Sequence, residues 1–233
     1  SRRSKSFTVQ TPLAHYLYIQ QNNPARFGAY LQFSNTQVIS NSPELFVHST
    51  NTNPVIAHSQ PIKGTAKNQQ REYLWMDKKE RAELTMIADL VRNDLGKVAQ
   101  NGTVFTKARS LRHCGDLLHA EQSIYAHLRS EITVQQLRNA IFPAGSITGA
   151  PKRSAMKYIS DLERHERKLY TGAIGWITSL QHCYFNVAIR TLQIEDTHTH
   201  LHVGCGIVYD SEPQKEWDES VAKGNALSKL LFT

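Results

Sequence analysis

Residues 142–152 read Phe-Pro-Ala-Gly-Ser-Ile-Thr-Gly-Ala-Pro-Lys, a run of small residues that leads into a predicted helix. Pro151 stands where the first helical turn tolerates proline. Glycines without a Cβ, free backbone N–H groups at a helix start and the hydroxyls of Ser146 and Thr148 together suit a carboxylate or phosphate. The stretch therefore predicts an anion-binding loop, with a plain tight turn before a helix as the alternative.

The composition predicts an ordinary globular protein. The chain has 233 residues, 40% of them hydrophobic and 20% charged, which is ample for one core. No apolar run reaches the length of about 18 residues that a membrane span needs, and the start of the chain lacks a signal-like apolar segment, so we expect a cytoplasmic protein without a membrane partner. The three cysteines lack paired metal-type spacing and are interpreted as free thiols.

The net charge of +7 admits two interpretations, a nucleic-acid partner or an anionic metabolite. The basic residues are scattered, and no basic stripe interleaved with aromatic residues is visible. We therefore expect no nucleic acid.

The hydrophobic pattern changes its period along the chain. Leu13 to Ile19 is ambiguous between helix and strand, and apolar residues from 84 to 98 recur every three or four positions, as in an amphipathic helix. The other predicted helices cover 133–141, 151–162 and 213–231. The predicted strands are 29–33, 37–39, 45–47, 55–57, 103–110, 117–128, 170–178, 183–194 and 198–209.

Runs of strands with helices between them predict an α+β fold with antiparallel sheets, because a parallel doubly wound sheet would alternate strictly. Neither a repeat nor a linker composition divides the sequence. We expect one domain over residues 1–233.

Glu216, Glu219 and Lys223 are spaced by three and four, so they share one face of the last predicted helix. Such a face is usually a solvated salt-bridge ladder. Here the glycine-rich segment Gly204-Cys205-Gly206 precedes it and allows close backbone approach to a ligand. The alternative is therefore a ligand site.

Glu83 lies on the flank of the apolar stripe of the long helix, where a glutamate is normally a surface residue. Three converging carboxylates from Glu83, Glu216 and Glu219 would instead require a hard cation, and Mg²⁺ suits such ligands.

Arg190 stands in an apolar, strand-like context and needs an anionic partner. The partner is either an internal carboxylate or a substrate carboxylate held in a bidentate clamp.

Five blocks in one order give the chain a resemblance to a known family. These are Pro61-Ile62-Lys63-Gly64-Thr65, the segment from Ala82-Glu83 to Asp94, residues 142–152, Ala188-Ile189-Arg190-Thr191 and residues 204–219. Together they resemble the chorismate-utilising enzymes, from about Asn23 to the end of the chain.

The resemblance implies roles for the residues that match the family motifs. Glu83 and Glu219 would be Mg²⁺ ligands, with Glu216 contributing directly or through water, and the metal would bind a substrate carboxylate. Arg190 and Tyr170 would hold the enolpyruvyl carboxylate. The remaining substrate-binding residues would be Lys223, Thr148, and the backbone at Gly204 and Gly206, although Cys205 replaces a common family glycine.

Lys63 separates branches of the family, because most chorismate enzymes have alanine there and lysine is typical of aminodeoxychorismate synthases. A desolvated amine near positive charge is a nucleophile near neutral pH, whereas the simple alternative is a solvated loop lysine. Glu44 matches the proposed general acid/base. His119 matches a family histidine in a divergent context, His113 is an alternative, and either is otherwise an ordinary strand residue.

The resemblance therefore implies an aminodeoxychorismate synthase component I that converts chorismate and ammonia to 4-amino-4-deoxychorismate through a covalent Lys63 intermediate, in para-aminobenzoate and folate biosynthesis. The ammonia would come from a glutamine amidotransferase subunit. The alternatives are an anthranilate synthase component I-type enzyme and a catalytically incomplete chorismate-binding fragment.

Members of the family are considerably longer than this chain, and the part lacking here is N-terminal. A sheet without its neighbouring strands has open edges that favour pairing with another chain. We therefore expect a partial fold and self-association.

Overall fold

The computed structural model describes residues 1–3, 9–114, 117–195 and 198–229. The strands are β1 (Arg2–Arg3), β2 (Phe27–Gln32), β3 (Thr36–Ser42), β4 (Leu45–Ser49), β5 (Ile56–Gln60), β6 (Ile62–Lys67), β7 (Phe105–Thr106), β8 (Ser110–Cys114), β9 (Leu117–Glu121), β10 (Ile124–His127), β11 (Ala173–Ile177), β12 (Cys183–Val187), β13 (Thr191–Glu195) and β14 (His198–Val203). The helices are α1 (Pro12–Asn22), α2 (Arg71–Met76), α3 (Lys78–Gly96), α4 (Val134–Ile141), α5 (Gly145–Thr148), α6 (Lys152–Leu162) and α7 (Pro213–Lys229).

The chain forms two compact units. The first consists of Ser1–Pro43, Glu163–Gly172 and Ala188–Thr233, and the second of Glu44–Leu162 and Ala173–Val187. The expectation of one domain over residues 1–233 stays a prediction.

The first unit contains a sheet of order β1-β14-β13-β3-β2 in which every neighbouring pair is antiparallel. The ambiguous segment 13–19 is helical, within α1. Ile19 of α1 is buried against apolar residues of the sheet, so burial of one face decides the helix where local propensity does not. The cluster consists of Ile19, Ile39, Leu192, Ile194, Leu201 and Val203.

The second unit contains two antiparallel sheets, of order β11-β12-β4-β5-β10-β7 and β6-β9-β8. Helix α3 buries Leu84, Ile87 and Leu95, as the periodicity predicts. It begins after Asp77, whose side chain accepts a hydrogen bond from the Glu80 N–H at 2.9 Å. The predicted α+β fold with antiparallel sheets is confirmed.

Several predicted strands are wrong in extent. The segment 103–110 is strand only at 105–106 and at 110, and the segment 117–128 is two strands, β9 and β10, which belong to different sheets. The segment 183–194 is two strands, β12 and β13, because the chain leaves one sheet after Val187 and enters another at Thr191. The segment 198–209 is a strand only as far as Val203. Apolar composition alone does not indicate where a chain changes sheets.

None of the helices in the described part of the chain is both long and apolar enough to cross a bilayer.

Candidate functional site

Glu44 lies in the second unit, immediately before β4, and is only 4% exposed. Its backbone carbonyl accepts a hydrogen bond from Val187 N at 3.1 Å, which fixes it beside β12. Burial raises the pKa of its carboxyl to about 7, although the neighbouring Ser146 hydroxyl, the charge of Lys63 and the backbone N–H of Ile62 act in the opposite direction. A buried carboxyl of this kind can give or take a proton near neutral pH.

Lys63 is half-buried on β6, where the pairing with β9 shifts register between Ile62 and Thr65. The shift is possible because Gly64 has a φ of 81°, and a Cβ there would lie 2.8 Å from Leu74 Cδ1. The charge of Lys63 acts on the Glu44 carboxyl, so the two predicted catalytic groups interact electrostatically within this unit. The sequence analysis expected a positive charge near Lys63 that would favour its neutral amine. The group that interacts with Lys63 in the structure is instead the Glu44 carboxyl.

His119 is 1% exposed on β9 and is the cross-strand partner of Thr65. Its Nδ1 lies 2.8 Å from Thr65 Oγ1. His113 is exposed on β8, with Nδ1 3.0 Å from Asn68 Oδ1. Of the two candidate histidines, His119 therefore contacts the block that carries Lys63, and its catalytic role stays a prediction.

The loop of residues 142–152 contains a four-residue helix, α5, that the sequence did not indicate. The Thr148 hydroxyl donates to the carbonyls of Ala144 at 3.0 Å and Gly145 at 3.4 Å, so its hydrogen is engaged within this turn. Helix α6 begins at Lys152, one residue later than predicted, with the Pro151 carbonyl accepting from Ala155 N. Anion binding by the loop and substrate binding by Thr148 stay predictions.

A cavity of about 10 Å³ lies between this loop, Glu44 and α3, which is room for about one water molecule. Its polar lining includes Glu44, Asp94, Ser59 and Ser146. The buried Ser146 Oγ lies beside the Glu44 carboxyl, but its geometry falls short of a hydrogen bond. The atoms around Glu44 are therefore closely packed and leave little room for water. This desolvation accounts for the raised pKa of its carboxyl.

Glu83 is half-buried on α3, next to buried Leu84 in sequence. The predicted position on the flank of the apolar stripe is confirmed. Its role as a metal ligand stays a prediction.

Asp94 and Lys152 form an ion pair that the sequence analysis did not assign. Asp94 is 3% exposed on α3 and pairs with both Lys97, at 2.6 Å, and Lys152. Lys152 Nζ also donates to the Ile141 carbonyl at 2.8 Å. A signal was present in the sequence, because Asp94 falls at a buried position of the α3 stripe, where a carboxylate requires a partner.

In the first unit, Cys205 Sγ and carboxylate oxygens of Glu216 and Glu219 lie within 4.8 Å of one another. Glu219 is paired with Lys223 at 2.6 Å, and Glu216 accepts from the Ser211 hydroxyl at 2.7 Å. The structure thus places the predicted acidic face beside the glycine-rich segment.

The donors of this cluster fit a hard cation through their carboxylates. The Cys205 thiol donates to the Glu216 carbonyl at 3.2 Å. Burial raises the pKa of this thiol and the charges of Glu219 and Glu216 raise it further, while Lys223 lowers it. The sulfur therefore stays a neutral thiol at neutral pH and is a poor ligand, which leaves the oxygens of Glu216 and Glu219.

Tyr170 and Gly204 are neighbours in the same unit. A Cβ at Gly204 would lie 2.8 Å from Tyr170 Oη, and Lys223 Nζ donates to the Gly204 carbonyl at 3.2 Å. Burial raises the pKa of Tyr170 to about 12, while the charge of Arg167 lowers it. The hydroxyl therefore keeps its proton and can donate a hydrogen bond. Gly206 is exposed.

The sequence predicted Arg190 in a strand, and this prediction is wrong. Arg190 lies in the link between β12 and β13. Its φ of 50° lies in the left-handed region, and its carbonyl accepts from Asn41 N at 3.0 Å. A non-glycine residue in this conformation is strained. Its role as a carboxylate clamp stays a prediction.

Comparison with known proteins identifies the family. The family model described as chorismate binding enzyme matches residues 1–229. The chain belongs to the chorismate-binding enzyme family. Within this family, it is 36% identical over 242 aligned residues to anthranilate synthase component 1 of Lactococcus lactis subsp. lactis, covering 99% of this chain and 52% of the relative. It is 34% identical to aminodeoxychorismate synthase component 1 of Bacillus subtilis, covering 99% of this chain and 50% of the relative.

The crystal structure of anthranilate synthase component I from Streptococcus pneumoniae TIGR4 is similar, with a TM-score of 0.87 and 30% identity. The match covers 96% of this chain and 51% of that one. This chain therefore spans about half the length of the curated chorismate-family relatives it matches.

Proposed function

We propose that this chain carries the reaction centre of an aminodeoxychorismate synthase component I, which replaces the C4 hydroxyl of chorismate with an amino group in para-aminobenzoate biosynthesis. The observation that supports it best is Lys63 close to the buried Glu44, whose carboxyl has a pKa of about 7. An amine that adds to the substrate and an acid that protonates the leaving group are the two groups that this substitution needs.

Glu44 and Lys63 serve the reaction as a pair. Because the pKa of the Glu44 carboxyl is close to neutrality, a substantial fraction of it is protonated at pH 7. The protonated carboxyl can therefore donate a proton to the leaving group, while Lys63 provides the amine that adds to the ring.

The reaction has two steps. In the first, the Lys63 amine forms a bond to C2 of the chorismate ring, both ring double bonds shift and the C4–O bond breaks, while Glu44 gives its proton and water leaves. In the second, ammonia bonds to C4, both double bonds shift back and the C2–N bond to Lys63 breaks. The proton lost from the new C4 amine returns to Glu44, so chorismate and ammonia give 4-amino-4-deoxychorismate and water.

The other residues bind and orient the substrate. Arg190 is proposed to clamp a carboxylate and Tyr170 to donate its hydroxyl hydrogen to it. Thr148, Lys223 and the backbone at Gly204 and Gly206 are proposed to contact the rest of the substrate. His119 is proposed to act through its contact with Thr65.

Enzymes of this family are generally Mg²⁺-dependent. Glu83, Glu216 and Glu219 are the residues proposed to hold the ion, which when bound supplies positive charge for a substrate carboxylate. The proposed source of ammonia is a glutamine amidotransferase subunit, because both relatives are named component 1.

Anthranilate synthase activity is the second candidate, and a specific observation favours it. Several relatives with 33–37% identity are named anthranilate synthase component 1. That activity would add ammonia at C2 and eliminate pyruvate, and Lys63 would have no covalent role.

Product analysis with chorismate, Mg²⁺ and ammonium ion distinguishes these activities. Our proposal predicts a product that carries its amine at C4 and keeps the enolpyruvyl group. Release of pyruvate together with an aromatic amine would assign the rival activity. Chorismate binding without any product would favour the incomplete chorismate-binding fragment.

A further inference from the structure

The ten residues between α4 and α6 are held at both ends by a single ammonium group. Lys152, at the start of α6, donates to the carbonyl of Ile141, the last residue of α4, at 2.8 Å. The same Nζ pairs with the Asp94 carboxylate of α3. Segment 142–151 is therefore closed at its base and anchored to α3 at one point.

The anchor is well buried. Asp94 is 4% exposed at its side chain and Lys152 15%. Lys97, the other partner of Asp94, is 54% exposed and directly follows the last residue of α3. A buried, doubly bonded ammonium holds its partners in one geometry, whereas an exposed ion pair contributes little.

Segment 142–151 packs against α3 at one position and against the surroundings of Glu44 at two. The Phe142 ring meets the edge of Phe46 with centroids 6.1 Å apart, and a Cβ on Gly145 would lie 2.7 Å from Leu90 Cδ2. Ser146 lies beside the Glu44 carboxyl. Glu44, Ser146 and Asp94 line the same cavity. The ion pair at Asp94 and the carboxyl of Glu44 are therefore linked through closely packed atoms.

We propose that Lys152 is a positioning residue for Glu44: by joining Asp94 to the Ile141 carbonyl, it holds segment 142–151 against the carboxyl that serves as the proton donor. This inference rests on the proposed function only in the role it gives Glu44. Lys152 touches neither substrate nor reacting atoms. Without the anchor, the segment lifts and water reaches Glu44.

The charged groups that act on Glu44 are known within the second unit. Lys63 on β6 acts on its carboxyl through its charge. Asp94 on α3 lines the cavity beside Glu44 and is paired with Lys97 and Lys152. A change at Lys152 thus alters the charge around Asp94 and also removes the tether, which is the bond from Lys152 Nζ to the Ile141 carbonyl. Lys97→Met and the double variant Asp94→Asn with Lys152→Met separate these two effects.

The test is a titration of Glu44 in the substrate-free chain by carbon-13 NMR of labelled glutamate, with Glu44→Gln assigning the signal. Lys152→Met keeps the aliphatic stem and removes the tether. We expect the midpoint of Glu44 to fall by about one pH unit as water relieves its burial, and the amides of 142–151 to exchange faster. Lys97→Met removes a partner of Asp94 without touching the segment, and we expect no shift.

Asp94→Asn combined with Lys152→Met removes both buried charges and the tether, so it decides the matter if Lys152→Met alone does not fold. The same downward shift in this double variant supports the inference. An unchanged Glu44 midpoint in the double variant, or an equal shift in Lys97→Met, overturns it. Because no substrate is present, these outcomes are independent of whether the chain transforms chorismate.

Discussion

The hydroxyl group of Tyr170 occupies the space that a side chain on Gly204 would need, with 2.8 Å between Tyr170 Oη and the position of a Cβ at residue 204. The glycine therefore sets how closely the tyrosine approaches the backbone of the 204–206 segment. It also leaves the Gly204 carbonyl in reach of Lys223, at 3.2 Å.

Replacing Gly204 with alanine should displace Tyr170 and weaken chorismate binding. We expect the dissociation constant to rise about tenfold or more, which corresponds to about 1.4 kcal/mol, because a hydrogen-bond donor moves out of position. Isothermal titration measures this directly. The control is Gly96→Ala, since no atom lies within 4 Å of a Cβ there and alanine favours a helix. Equal binding by both variants would contradict the role given to Tyr170.

Arg190 allows its backbone conformation and its charge to be tested separately. Arg190→Gly and Arg190→Ala both remove the guanidinium, so both should lose most chorismate binding. The two variants differ in the free energy that the backbone conformation at residue 190 costs, because glycine adopts a φ of 50° readily and alanine does not. We expect the glycine variant to be more stable than the alanine variant by about 1 kcal/mol in urea denaturation. Retained binding in either variant would argue against the clamp.

Glu44 should make the stability of the chain depend on pH. Its pKa of about 7 in the folded state lies above the ordinary glutamate value of 4.5, so the folded state holds the proton more tightly. Stability from this group is fully present below pH 4.5 and is lost as the pH rises through 7, by about 3 kcal/mol in total. Glu44→Gln keeps the shape and cannot ionise.

Urea denaturation at pH 5 and pH 8 compares these two proteins. The unmodified chain should lose stability relative to Glu44→Gln as the pH rises, and the variant should be the more stable of the two at pH 8. If the two proteins respond to pH in the same way, the carboxyl of Glu44 is not held in a desolvated site.

The sequence predicted α3, α4, α6 and α7 and the position of most strands, because the spacing of apolar residues follows the face that an element buries. The stripe of Leu84, Ile87 and Leu95 indicated α3 correctly, and the spacing of Glu216 and Glu219 indicated their common face. These are local relations along one element. They depend on helical geometry alone.

Other features depend on contacts between distant segments. The apolar context of Arg190 predicted a strand, but β12 and β13 belong to different sheets and Arg190 has a positive φ in the link between them. The cavity beside Glu44 is also lined by residues far away in sequence, such as Asp94 and Ser146, and a local window of sequence does not show these contacts. Asp94 could have been found, because a carboxylate on the buried face of α3 requires a cation.

The carboxylates of α7 provide a test of metal binding. Glu219→Ala removes one of the two oxygen donors near Cys205, so the Mg²⁺-dependent part of chorismate binding should be largely lost. Glu212→Ala is the matched control, because Glu212 precedes the same helix and its side chain is paired with exposed Lys215. Calorimetry with and without Mg²⁺ measures the difference. Equal Mg²⁺ dependence in both variants would remove Glu219 from the proposed ligands.

The central claim is that Lys63 becomes covalently attached to the ring, and intact-protein mass spectrometry tests it most directly. After incubation with chorismate and Mg²⁺ in the absence of ammonia, we predict a mass increase equal to chorismate minus one water, which peptide mapping assigns to Lys63. Lys67→Ala, on the exposed part of the same strand, should form this adduct. Lys63→Ala should not. Turnover of chorismate with no adduct on the unmodified chain, or at an undiminished rate in Lys63→Ala, would contradict the account.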